Sequence, residues 1–141
     1  MQSQPYELFR LRKGSCILGY QRYIKPGLAY FSKDQLWWQS QKINFQKKDA
    51  YLDLKDKNRR YLFEQDMVSL EKSSSKASDL WVLVFHAKFA RYTAIHCQHY
   101  EEIDLNNIQT HGVFLQSYLF INPDIQQALF NRGLLLQDDI C

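Results

Sequence analysis

The residues that invite a chemical reading first are His96-Cys97-Gln98-His99. On a strand, Cys97 and His99 would face one way and His96 the other. Two donors at i and i+2 begin a zinc site. A four-coordinate ion needs at least one more ligand, from His86, His111, Cys16 or a carboxylate, and no spacing in the chain supplies it. Cys97 as a nucleophile would need a lowered thiol pKa and a third group to orient its base. Its apolar neighbours favour an inert thiol packed as a small hydrophobe. Glu101, Glu102 and Asp104, with Glu64 or Asp66, could form an acid–base pair or a hard-metal site. No spacing rule links them, and a solvated acidic connector is the simpler reading. The expectation is a non-enzyme with no catalytic residues, no metal ligands and no cofactor.

A second constellation is basic. Lys47, Lys48, Lys55, Lys57, Arg59 and Arg60 are interleaved with Tyr51 and Tyr61, and Trp37 and Trp38 lie upstream. Cations beside aromatic platforms are what a binder of single-stranded nucleic acid uses. The same residues also describe a soluble hairpin tip whose cations discourage edge pairing. Asp49, Asp53 and Asp56 dilute the positive field, and a net charge of +3 is mild for a dedicated nucleic-acid binder.

The elements that would position these residues read as strands. The 9 Tyr, 9 Phe and 3 Trp in 141 residues favour a mainly β fold, while 5 Gly and 3 Pro leave many turns to Asn, Asp, Ser and Lys. Three widely spaced cysteines, Cys16, Cys97 and Cys141, make no disulfide framework and suit a reducing compartment. No apolar run suggests a signal peptide or a membrane span, so the expectation is a cytoplasmic protein without membrane contact.

Short strands are expected at Pro5 to Leu11, Cys16 to Ile24, Leu28 to Phe31, Gln35 to Gln39 and Lys42 to Phe45, as a meander. The polar connector Gln46 to Asp49 suggests subdomains 1–46 and 47–141 within a single domain 1–141. A hairpin follows, with strands Tyr51 to Leu54 and Tyr61 to Leu70 around the charged turn 55–60. Glu71 to Asp79 reads as an exposed Ser-rich loop. Leu80 to Phe85 is apolar at consecutive positions, which predicts a central strand buried on both faces. Ala90 to Tyr100 and Gly112 to Phe120 complete the strands, with a connector between them that tucks Ile103 and Leu105 inward. The last element is a helix over 123–132. Asn122 is its expected cap, Pro123 sits in the first turn, Ile125 and Leu129 lie on the docking face, and Gly133 stands at C′.

The segment Leu54 to Val68 (LKDKNRRYLFEQDMV) resembles the hallmark L-K-D-K-N-G-x-x-I-Y-E-G-D-I-V of the YopX-like family of phage and mobile-element proteins. A second segment, Ser117 to Ile125 (SYLFINPDI), is similar to that family's G-N-I-Y-E-N-P-E-L. The family's glycines are replaced here by Arg59, Gln65 and Ser117, and Asn58 is the residue expected to take the left-handed turn conformation. The resemblance implies a mostly β fold with a small SH3-like, barrel-type C-terminal part, a tendency to self-assemble and no established enzymatic activity. It brings no catalytic residues.

These readings converge on an accessory protein acting through protein contacts and self-assembly, with the basic hairpin as a nucleic-acid site in the alternative reading and an unidentified enzyme in the third. Adjacent Trp37 and Trp38 cannot both be buried by one short strand, and Leu134-Leu135-Leu136 poses the same problem at the C-terminus. These five residues are the expected interface of a homo-oligomer.

Overall fold

The computed structural model describes residues 6–70, 79–86 and 89–135. The fold is mainly β, with two antiparallel sheets and two short helices, one of them C-terminal. The chain divides into two compact units, Met1–Tyr51 and Leu52–Cys141.

The first unit is a meander of β1 (Glu7–Lys13), β2 (Cys16–Ile24) and β3 (Leu28–Ser32), with β4 (Lys47–Lys55) on the other side of β1. β4 begins at the polar connector and runs across residue 51 into the second unit. All pairings are antiparallel, and a bulge in β2 offsets the register between Leu11 and Arg12. Gly19 occupies that bulge. A Cβ there would come within 2.5 Å of the Ser32 carbonyl oxygen, so only glycine lets β3 approach.

Alternation in β1 sends Phe9 and Leu11 to one face and Arg10 and Arg12 to the other. Both arginines are nonetheless buried, and both meet Asp49 on β4. Arg10 Nε donates to Asp49 Oδ2 at 3.0 Å, and Arg12 Nε and Nη2 donate to its two oxygens at 2.8 and 2.9 Å. This charged cluster ties β1 to β4 in the interior.

Two of the expected strands are absent. Residues 35–39 form a loop whose ladder pairing with the sheet is the isolated Phe31–Gln39 bridge, and 42–45 contains no strand. The reason is local. Ser32 Oγ accepts the amides of Asp34 and Gln35, and Asp34 Oδ1 accepts those of Leu36 and Trp37. These side chains replace the ladder a strand would need.

The second unit is built on a sheet ordered β10-β6-β7-β8-β9: β10 (Phe114–Tyr118), β6 (Asp66–Ser69), β7 (Leu80–His86), β8 (Arg91–His96) and β9 (Glu102–Asp104). Among the described residues these pairings make a five-strand antiparallel ladder with β10 and β9 at its ends. As its apolar run predicts, β7 is buried on both faces. Leu80, Val82 and Val84 join one cluster with Met67, Ile95 and Leu129, while Trp81 and Leu83 join another with Leu62, Ala94 and Ile108.

The expected strand from Tyr61 to Leu70 is two strands, β5 (Tyr61–Phe63) and β6, separated by a turn at Glu64-Gln65. Gln65 takes φ 79°, and the buried Asp66 carboxylate accepts the Phe63 amide at 2.8 Å. Neither Gly nor Pro marks that turn in the sequence. α1 (Leu105–His111) replaces part of the expected connector. Ile103 and Leu105 are half-buried against the second cluster, and Ile108 is fully buried.

The two turns flanking β8 share a design. His86 Nδ1 accepts the Phe89 amide while its carbonyl accepts that of Ala90, which has φ 51°. His96 Nδ1 accepts the amides of Gln98 and His99 while its carbonyl accepts that of Tyr100, with φ 62°. The expected strand Ala90 to Tyr100 therefore stops at His96.

α2 (Pro123–Asn131) docks as expected through Leu129, which is buried, and Ile125, which packs against the first cluster. It ends in a Schellman turn: Gly133 has φ 73°, its amide donates to Phe130, and the Leu134 amide donates to Leu129. Its start differs from expectation. The Asn122 side chain makes no cap; Nδ2 donates instead to the Tyr118 carbonyl at 2.7 Å and to Ser117 Oγ at 3.0 Å. That places the side chain on the preceding turn, away from the helix amides. The Ser-rich segment 71–78 lies outside the described residues.

Candidate functional site

Among the described residues of the first unit, the loop after β3 holds the two most exposed large apolar side chains. Leu36 is 84% exposed and Trp37 76%. The tip is held firmly. The amide bonds from Leu36 and Trp37 hold the Asp34 carboxyl below its usual range, and Gln35 takes φ 66°. Trp38 turns inward, with Nε1 donating to the Gln35 carbonyl at 3.2 Å. Its ring centre lies 4.1 Å from the Arg22 guanidinium, which also lies 4.6 Å from the Tyr6 ring centre. The two tryptophans thus take the opposite environments expected of them, on a loop rather than a strand. Arg22 and Leu36 escape a sequence reading, because what marks them is exposure and stacking across distant segments.

The other expected interface run lies elsewhere. Leu135 is buried in the first cluster, Leu134 packs against it, and Leu136 lies outside the described residues. The Schellman turn folds Leu134 and Leu135 back onto the core and removes the reason to expect an exposed patch there.

The basic constellation divides between the units. Lys47, Lys48 and Tyr51 belong to the first, where the Lys48 ammonium sits 4.2 Å from the Phe9 ring centre and Lys47 is half-buried. Lys55, Lys57, Arg59, Arg60 and Tyr61 gather at the turn between β4 and β5, with Lys55 5.0 Å from the Tyr61 ring centre. Arg60 is taken up by the fully buried Asp56 carboxylate, and Lys57 lies along Gly112. Lys55, over the Tyr61 ring, and Arg59 are exposed cations.

Arg59, not Asn58, takes the left-handed conformation, with φ 66°. A side chain there is strained, and glycine relieves the strain at some cost in unfolded-chain entropy. Arg59→Gly should therefore raise stability by about 0.5–1 kcal/mol, read as a higher urea midpoint with unchanged slope.

The lures of the sequence resolve into structural parts. Cys97 is buried, and burial pushes its thiol up to about 12, which leaves it neutral at working pH and a poor nucleophile. His96 braces a turn and stacks on His99, 4.8 Å between ring centres. Among the described residues no group of three or more His, Cys, Asp or Glu is placed to hold a metal ion. Glu102 bonds His86 Nε2 at 3.0 Å, Asp104 accepts the Asn106 amide, and Asp66 is buried in its turn. These carboxylates do not converge. At pH 8, iodoacetamide should label exposed Cys16 and leave Cys97 unmodified in the folded protein; mass spectrometry of the digested product reads both.

Comparison with protein-family models, with curated proteins and with solved structures finds no match to the chain. Among the described residues no helix is long and apolar enough to cross a membrane.

Proposed function

We propose that this chain is a non-enzymatic accessory protein that acts through protein contacts and self-association, with the tip Leu36-Trp37 in the contact face. The observation that carries this reading is the rigid display of two large apolar side chains, 84% and 76% exposed, on a loop whose own side chains fix its shape. A loop ordered before binding loses little entropy on contact, and tryptophan is the residue most enriched at energetic centres of interfaces. Two of the family's glycine positions supply further support for the resemblance to the YopX-like proteins of phages and mobile elements. Arg59 and Gln65 stand where that hallmark has glycine, and both hold positive φ, 66° and 79°. A backbone that needs glycine geometry at those two points fits a common turn design better than a chance match of letters. The third position, Ser117, holds no positive φ and lends no such support.

Dilution tests the reading. Tryptophan emission should shift to longer wavelength as the protein is diluted through the micromolar range, and Trp37→Phe should abolish that shift. Emission independent of concentration contradicts it.

One observation favours a second reading. Lys55 beside the Tyr61 ring, with exposed Lys57 and Arg59, offers a small cation-and-ring surface for single-stranded nucleic acid. Retention on immobilised single-stranded DNA that falls steeply with salt, and falls again in Lys55→Ala/Arg59→Ala, supports it; retention unchanged by salt counts against it.

A further inference from the structure

The carboxylates of the first unit are Glu7, Asp34 and Asp49, and each is accounted for. Asp49 takes Arg10 and Arg12. Asp34 Oδ1 accepts a hydrogen bond from Ser32 Oγ at 3.1 Å and the amides of Leu36 and Trp37. Glu7 lies 4.0 Å from the Lys25 ammonium. Strand alternation puts Glu7 on the face opposite Leu8 and its cross-strand partner Arg22. Arg22 is the arginine these acids leave over. It makes no hydrogen bond or ion pair with a described residue, and its Nε is buried without a partner.

The surroundings of Arg22 are apolar and aromatic. Leu8 and Tyr30 stand directly across from it on the neighbouring strands. The Trp38 and Tyr6 ring centres lie 4.1 and 4.6 Å from its guanidinium. Rings so placed hold the guanidinium in one orientation and remove part of its hydration, with no carboxylate in return. Its two Nη groups also lack a partner among the described residues, and unlike Nε they are not buried. Together they make the fork that pairs with a planar carboxylate through two parallel bonds. Trp37 precedes Trp38 in the chain, so the loop that lays one ring on Arg22 raises the other, with Leu36, into solvent.

We propose that Arg22 is a carboxylate-binding site, and that its ligand is an acidic side chain of a protein segment whose neighbouring apolar residue rests on Leu36 and Trp37. The two Nη groups take the carboxylate oxygens. A guanidinium already oriented and partly dehydrated loses less on binding than one free in water. The choice of a protein carboxylate over a phosphate rests on the reading of the tip as a protein contact, and the loop itself favours it. Asp34 is exposed and bonded to the tip amides, so it sets a negative charge beside Leu36 and Trp37. A phosphate backbone crossing the tip would meet that charge and would need a track of cations. A single carboxylate followed by an apolar side chain needs only Arg22 and the tip.

Titration followed by nitrogen-15 NMR tests it, read at the side-chain N–H signals of Arg22 and Trp38. The probes are the blocked peptide acetyl-Leu-Glu-Leu-amide, its Gln counterpart and a short oligothymidylate. The Glu peptide should shift both signals saturably, and the Gln peptide should bind about tenfold or more weakly. Arg22→Met keeps an apolar stem against Trp38 and should abolish the difference between the peptides. Arg22→Lys keeps the charge without the fork and should bind the Glu peptide more weakly than wild type. Equal shifts by the two wild-type titrations, or none, overturn the site whatever the variants do. Oligothymidylate that shifts the Arg22 signal at lower concentration than the Glu peptide overturns the carboxylate in favour of a phosphate. The molar mass of the wild type at the same concentration is read separately. A one-chain mass contradicts self-association, and the peptide titration still decides the Arg22 site.

Discussion

Replacing Asp49 with alanine should destabilise the first unit by about 3–5 kcal/mol, the range for breaking a buried ion pair from one side. Asp49 is 2% exposed, as are Arg10 and Arg12, and both guanidiniums donate to its carboxylate at 2.8–3.0 Å. Alanine leaves those two cations buried without the acceptor they share. The loss is dominated by their desolvation, not by the bond energies, so Asp49→Asn should recover little: it keeps an acceptor oxygen and removes the charge. Replacing the whole cluster (Arg10→Met, Arg12→Met, Asp49→Leu) should cost less than Asp49→Ala, since no uncompensated charge stays behind. Urea unfolding, with hydrogen exchange localised to β1, β2 and β4, measures all three. Asp49→Ala with a wild-type midpoint would show that the cluster is not buried as described.

Asp56→Ala should lower stability by about 2–4 kcal/mol through the second unit, because its fully buried carboxylate organises a turn and a sheet edge at once. Oδ1 accepts the amides of Asn58 and Arg60 at 3.0 and 2.8 Å. Oδ2 accepts Arg60 Nε at 2.8 Å and, across the fold, the Leu115 amide at 3.2 Å. Arg60 Nη2 then donates to the Leu115 carbonyl at 3.1 Å. The Asp56–Arg60 pair therefore occupies the outer edge of β10 as a neighbouring strand would, and it covers an edge that carries no charge of its own. Arg60→Ala, whose side chain is 48% exposed, should cost much less than Asp56→Ala. Thermal unfolding of the two variants gives the order; equal losses would contradict this division of roles.

Both carboxylates show where a sequence stops being informative. Asp49 and Asp56 read as acids that dilute a basic stretch. The arginines that meet Asp49 lie 37–39 residues away, and the Leu115 amide that ties Asp56 to β10 lies 59 residues away. The expected strand stops at Leu11 and leaves Arg12 outside it, and nothing local says that the face carrying Arg10 and Arg12 is covered. What was legible was local. The apolar run of β7 required burial on both faces, and Pro123 with Gly133 bracketed α2. Strand propensity misled at residues 35–39, where the aromatic residues look strand-like but Ser32 and Asp34 satisfy the amides as a loop. The break at Gln65 carried no Gly or Pro to announce it. In the 96–99 cluster the residue types suggested chemistry, yet Nδ1 of His96 accepts turn amides and Cys97 is buried. For the interaction surface, the pair Trp37-Trp38 was visible as a problem of burial. Which tryptophan is exposed, and that Arg22 is stacked beneath the other, depended on the course of the loop.

The central claim is that the exposed tip drives self-association, and molar mass by light scattering across a size-exclusion peak at micromolar concentration tests it most directly. The account predicts a wild-type mass above one chain and a one-chain mass for Trp37→Ala. A wild-type mass equal to one chain across the whole peak would contradict it.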